Sequence, residues 1–201
     1  SFQLNAQWFW QNPNPSNASF YGMHFLNNNT GWIVGNNGIV HKTIDAGFNW
    51  NSVILDNQTV LKDICFINDY IGWAVGFEII NNQSVGVIIK STDGGNTWTK
   101  IFPGYSGFNS ICFVDDNIGW AAGSVILFTS NGGESWVRQA NELGDFKDIT
   151  FVDNLRGWAV GSSGKIINTT NAGVDWEIQL NGVGEYFTQV YFIDNNHGFV
   201  T

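Results

Sequence analysis

The residues best suited to chemistry in this chain are its acids. Glu78, Glu142, Asp145 and Glu185 fall in segments that read as loops, and two carboxylates suitably spaced suffice to hydrolyse a glycosidic bond. Nothing in their spacing selects a pair. A second group, Asp69, Asp115, Asp116, Asp153 and Asp194, recurs in short turns. Aligned turns can mimic calcium loops, but none of these follows the EF-hand pattern, and they read as ordinary turn chemistry. His24, His41 and His197 are scattered, so no Ser–His–Asp unit is expected. Cys65 and Cys112 belong to no C-x-x-C pair and each sits between apolar residues in a strand-like run. They read as buried small hydrophobes, with a disulfide as the alternative. No cofactor and no metal are expected.

The elements that must position these groups are bounded first by composition. With 201 residues the chain can bury a sizeable core. Its formal charge is −9, with six Lys, two Arg and no basic run, so a phosphate backbone or an anionic membrane surface would be repelled. No run of apolar residues is long enough to span a bilayer. Charged residues make up only 12% while aromatics reach 15%, so solubility rests on Asn, Ser, Thr and Gly. That composition suits a secreted or cell-surface bacterial protein.

The elements themselves are announced by a repeat. Gly-Trp occurs at Trp32, Trp73, Trp120 and Trp158, with Gly198-Phe199 as a fifth copy, at spacings of 41, 47, 38 and 41 residues. Each complete copy is followed by a hydroxyl, an Asx, a Gly and a Trp at fixed offsets. They are Thr43, Asp45, Gly47, Trp50; Ser91, Asp93, Gly95, Trp98; Thr129, Asn131, Gly133, Trp136; and Thr169, Asn171, Gly173, Trp176. Four short strand signals per repeat of about 40 residues give the period of a propeller blade. The expected fold is all-β: four complete four-stranded antiparallel blades at about 19–56, 60–102, 107–142 and 145–181, and a partial one at 186–201. The Asx oxygen is expected to accept backbone N–H groups in the turn between the third and fourth strands, and the Gly to take a positive φ there. The box Trp is expected to bury its ring against the neighbouring blade. Because two boxes carry Asn, the box reads as turn chemistry rather than as a catalytic or calcium-binding acid.

These residues resemble the Asp-box, or bacterial neuraminidase, repeat. The combined pattern around Gly-Trp-Ala-Val-Gly and Thr-x-Asp-Gly-Gly-x-Thr-Trp looks like the repeat of the photosystem II assembly and stability factor family. The resemblance covers about residues 19 to 201 and implies a propeller. Three functional readings accompany it. A sialidase would need three arginines, a Tyr–Glu pair and an Asp acid, yet only Arg138 and Arg156 are present, both expected on the Asp-box face. A xyloglucanase-like glycosidase would need the carboxylate pair that nothing singles out. An assembly-factor role implies a scaffold in the thylakoid lumen, but that family is associated with a basic patch and this sequence shows none.

Residues 1–18 combine two expectations. Leu4-Asn5-Ala6 resembles the end of an export signal, and Trp8 to Pro13 matches Trp98 to Pro103 as a fourth strand without partners, which would close a ring completed by blades beyond residue 201. Function is expected in the variable loops opposite the Asp boxes, on a non-catalytic scaffold that binds protein or glycan. The candidate residues are Phe77, Glu78, Asn81 and Asn82 in the longest loop, with Tyr105, Phe108, Glu142, Asp145, Phe146, Glu185 and Tyr186 between blades.

Overall fold

The computed structural model describes residues 18–139, 144–180, 184, 186–194 and 196–201. Four sheets of four antiparallel strands follow one another, each in simple sequence order. The first holds β1 (Phe20–Phe25), β2 (Gly31–Gly35), β3 (Ile39–Thr43) and β4 (Asn51–Ile54). The second holds β5 (Thr59–Phe66), β6 (Gly72–Ile80), β7 (Gln83–Ser91) and β8 (Thr99–Ile101). The third holds β9 (Phe108–Phe113), β10 (Gly119–Gly123), β11 (Ile126–Thr129) and β12 (Val137–Gln139), and the fourth β13 (Phe146–Phe151), β14 (Gly157–Gly161), β15 (Lys165–Thr169) and β16 (Glu177–Leu180). A two-stranded sheet of β17 (Val190–Phe192) and β18 (Gly198–Val200) follows. The closing strand expected within residues 1–18, at Trp8 to Pro13, lies outside the described residues. No described helix is long and apolar enough to cross a membrane.

The first strands β1, β5, β9, β13 and β17 pack side by side and make the inner wall of the arc of blades. Between blades the core is aromatic. Trp32 stacks on Phe66 of the next blade at 3.6 Å between centroids, Trp73 on Phe113 at 3.5 Å, Trp120 on Phe151 at 3.4 Å and Trp158 on Phe192 at 4.0 Å. Each of the first three indoles also donates to a box carbonyl of the next blade: Trp32 Nε1 to Gly94, Trp73 to Gly132 and Trp120 to Ala172. The ring and its polar handle thus point at the same neighbour. The glycine before each Trp faces the Phe of the paired strand. A Cβ at Gly72 would come within 2.6 Å of the Phe66 ring, so the Phe lies flat over bare backbone.

The box tryptophans behave otherwise than expected. Trp98, Trp136 and Trp176 meet the Phe of their own blade edge-on and stay partly exposed. They pack at the rim of the inter-blade cores, whose fully buried rings are the Gly-Trp indoles Trp32, Trp73 and Trp120. The box itself closes as a small polar knot. In the second blade Ser91 Oγ accepts from Gly95 N at 2.8 Å and donates to Asp93 Oδ1, which accepts from Thr97 N at 2.9 Å. Asn131 and Asn171 make the same contacts through their carbonyls. The turns between first and second strands are Asx turns: Asn68, Asp115, Asp153 and Asp194 each accept two backbone N–H groups. Box and Asx turn share one face, joined by bonds such as Gly94 N to Tyr70 O.

Candidate functional site

The inner strands β1, β5, β9 and β13 each carry a bulge at one place. The ladders skip a residue between Phe20 and Gly22, Leu61 and Asp63, Phe108 and Ser110, and Phe146 and Asp148. The extra residues are Tyr21, Lys62, Asn109 and Lys147. A bulge leaves one residue unpaired and re-aims its side chain. Here all four line one cavity of about 150 Å³, together with Asp63, Ser110, Asp148, Thr188 and Gln189. Four sheets and the segment before β17 therefore contribute to a single polar pocket on the inner wall, where the inner strands begin, opposite the Asp boxes.

The pocket is electrostatically mixed. Lys62 Nζ lies 3.7 Å from the centroid of the Tyr21 ring, a cation–π contact, and forms no ion pair among the described residues. Burial and the nearby Lys147 both lower its affinity for its proton. Lys147 pairs with Asp145 at 2.6 Å and lies 5.5 Å from the Tyr186 ring centroid. Asn109 Nδ2 donates to Phe146 O at 2.7 Å. Below them Asp63 Oδ2 accepts from Ile111 N and Asp148 Oδ2 from Val190 N, so each carboxylate ties its blade to the next. Burial pushes the Asp63 carboxyl up to about 6 and raises that of Asp148.

The residues expected from sequence divide around this pocket. Phe77, Asp145 and Tyr186 frame it: Lys62 Nζ lies 5.8 Å from the Phe77 ring centroid, and the other two meet Lys147. Asn81 and Asn82 form the tip of the hairpin between β6 and β7, both with positive φ, as a two-residue hairpin turn demands. Tyr105 packs half-buried under the ladder, its carbonyl accepting from Gly86 N. Three expectations are corrected. Phe108 and Phe146 are fully buried core residues, because the bulge turns them inward. Glu78 is buried and bound to Lys100 and Thr59, with Asp56 on the same lysine, so it faces no ligand. Glu142 and Glu185 lie outside the described residues.

The remaining reactive groups gather no second site. Cys65 and Cys112 are free thiols packed against the inter-blade cores, and burial pushes Cys65 up to about 12. His41 is buried with Ser52 Oγ at 2.7 Å from Nδ1, and among the described residues no carboxylate completes a triad. Arg156 pairs with Asp153 on the Asp-box face, whereas the Arg138 guanidinium lies 6.0 Å from the Tyr105 ring centroid, toward the opposite face from the one expected. The pocket residues were missed in the sequence because each is a lone polar residue at a strand start. The signal that marks them is a pair of inward apolar residues three apart, as in Leu61 and Ile64, which breaks the period of two.

Comparison with known proteins agrees with this architecture. Residues 47–144 match the profile of a family described as photosynthesis system II assembly factor YCF48. No curated protein sequence matches the chain. Among solved structures, YCF48 bound to D1 peptide aligns over 92% of this chain and 91% of its own, at 14% identity and TM-score 0.52. The WD40 propeller domain of Doa1 aligns over 92% and 62% at 12% identity and TM-score 0.68. An ancestral GH74 enzyme aligns at 16% identity and TM-score 0.67, with 92% of this chain spanning 27% of that one. At such identities the likeness is one of fold. Blade order and box geometry make this chain a β-propeller, and residues 47–144 carry repeats similar to those of the YCF48 family.

Proposed function

We propose that the chain is a non-catalytic scaffold that captures an extended, acidic segment of a protein partner across the mouth of its inner wall. The observation that carries this reading is the convergence of four bulge residues from four blades on one pocket, with Lys62 left without an anionic partner among the described residues. A cavity of about 150 Å³ is smaller than the usual small-molecule site and suits a single side chain. The rim supplies Phe77 and Tyr186 for flanking contacts, and the exposed Ile79 and Ile80 on the hairpin extend the surface. A solved YCF48 structure holds a peptide, which supports a protein ligand over a glycan. Of the candidate glycosidase carboxylates, the two among the described residues are engaged elsewhere: Glu78 by Lys100 and Asp145 by Lys147. The weakly charged, Asn-rich composition supports an exported setting, outside the cell or in a periplasm or lumen.

Hydrogen exchange with a short synthetic acidic peptide tests the reading. Protection is expected at the starts of β5, β9 and β13 and along the hairpin, with the Asp-box turns unchanged. Protection confined to the Asp-box face, or release of reducing sugar from xyloglucan, would refute it.

A further inference from the structure

The floor of the pocket contains more acceptors than hydrogens. Ser110 Oγ lies 3.0 Å from Asp63 Oδ2 and 2.7 Å from Asp148 Oδ1, both hydrogen-bond distances. A serine hydroxyl carries one hydrogen, and an ionised carboxylate carries none. The neighbouring backbone donors are already engaged: Ile64 N and Ile111 N on Asp63, Ile149 N and Val190 N on Asp148. Two ionised carboxylates would therefore leave one of the two short contacts as oxygen against oxygen with nothing between.

We propose that Asp63, Ser110 and Asp148 hold one carboxyl proton in common, relayed through the hydroxyl, and that its loss to solvent as pH rises loosens the seam joining the second, third and fourth blades and weakens capture in the pocket above. The coupling to capture rests on the function proposed above; the proton does not. The arrangement with a proton on Asp63 satisfies both contacts: Asp63 donates to Ser110, and Ser110 donates to Asp148. After release, two negative charges share a single hydroxyl hydrogen.

The groups facing this trio come from each packed strand. They are Tyr21 and His24 on β1, Lys62 and Cys65 on β5, Cys112 on β9 and Lys147 on β13, with neutral Thr188 and Gln189 before β17. Neither lysine forms an ion pair with either carboxylate among the described residues, so the second charge has no direct counter-ion there. Burial drives His24 toward its neutral form and keeps both thiols protonated. The carboxyl that burial raises binds its proton more tightly in the folded chain than in the unfolded one. Its contribution is thus full below the ordinary Asp range and is lost as pH rises through about 6.

Carboxyl-carbon NMR of the intact chain tests the proton directly. One Asp carboxyl of the pair should titrate near 6 with its partner responding in the same step, and Ser110→Ala should uncouple the two. Asp63→Asn, whose Nδ2 can donate to Ser110 but leaves Ile111 N without its acceptor, should melt lower throughout yet lack the fall in melting temperature that the wild type shows across that range. Both carboxyls titrating in the ordinary Asp range, with identical pH profiles for wild type and Asp63→Asn, would overturn the shared proton. Affinity for the acidic peptide should weaken through the same range in the wild type and not in Asp63→Asn. A titrating pair with pH-independent peptide affinity would overturn the coupling to capture.

Discussion

At the scale of single residues, the repeat separates groups that shape backbone from groups that hold blades together. Gly72 is an example of the first: a Cβ would meet the Phe66 ring at 2.6 Å, so Gly72→Ala should cost about 1–3 kcal/mol, read by denaturant unfolding. Ser91 is another, since its buried hydroxyl serves both Gly95 and Asp93. Ser91→Ala should cost about 1–2 kcal/mol through the unpaired Gly95 N–H. Asp93→Asn should cost far less, because Asn131 and Asn171 do the same work in later blades. Its main effect should be on pH dependence. Hydrogen bonds from the Thr97 hydroxyl and backbone hold the Asp93 carboxyl down at about 2. That stability is present above the ordinary Asp range and is lost as pH falls toward 2, and the variant should not show this loss. Ala46 and Ala172 sit at φ of 60° and 61° where the second and third boxes carry glycine. Replacing both with Gly should raise stability by about 1 kcal/mol, measured by melting.

At the scale of elements, the strands and turns were legible because their chemistry repeats in the sequence. The Asx turns, the boxes and the alternation of Gly-Trp-Ala-Val mark the strands of each sheet. The bulges were not read, and they are what builds the pocket. A strand with period two should bury alternate residues, yet Leu61 and Ile64 both face inward, three apart. The same slip turns Phe108 and Phe146 into the core, though a strict alternation leaves them in loops. The Glu78–Lys100 pair was illegible for another reason. It joins β6 to β8 across the sheet, and no local pattern links residues so far apart. The hairpin tip should be dispensable to the fold: cutting Ile79–Ser84 to a tight turn should leave the melting temperature unchanged, because the Lys100 tie lies at its base. Lys100→Met should instead leave Glu78 buried and unpaired, at a cost of about 2–3 kcal/mol by denaturant unfolding.

At the scale of the whole molecule, identical inter-blade locks allow the inner surface to vary. The stacked Trp–Phe pairs and indole-to-carbonyl bonds repeat from blade to blade, so no lock depends on which residue occupies the bulge. The wall can thus present Tyr21, Lys62, Asn109 and Lys147 on one rigid frame. It places Lys62 and Lys147 together, beside Asp63 and Asp148, in a chain whose net charge is −9, a grouping that a one-dimensional search for basic runs does not reveal. Attraction to an acidic segment should then be local and sensitive to ionic strength. The most direct measurement is fluorescence anisotropy of a labelled short acidic peptide with the intact chain and with a Lys62→Gln/Lys147→Gln double variant at low salt. Capture by the bulge pocket predicts an affinity loss of about tenfold or more at an unchanged melting temperature. Equal affinity of the two proteins would contradict it.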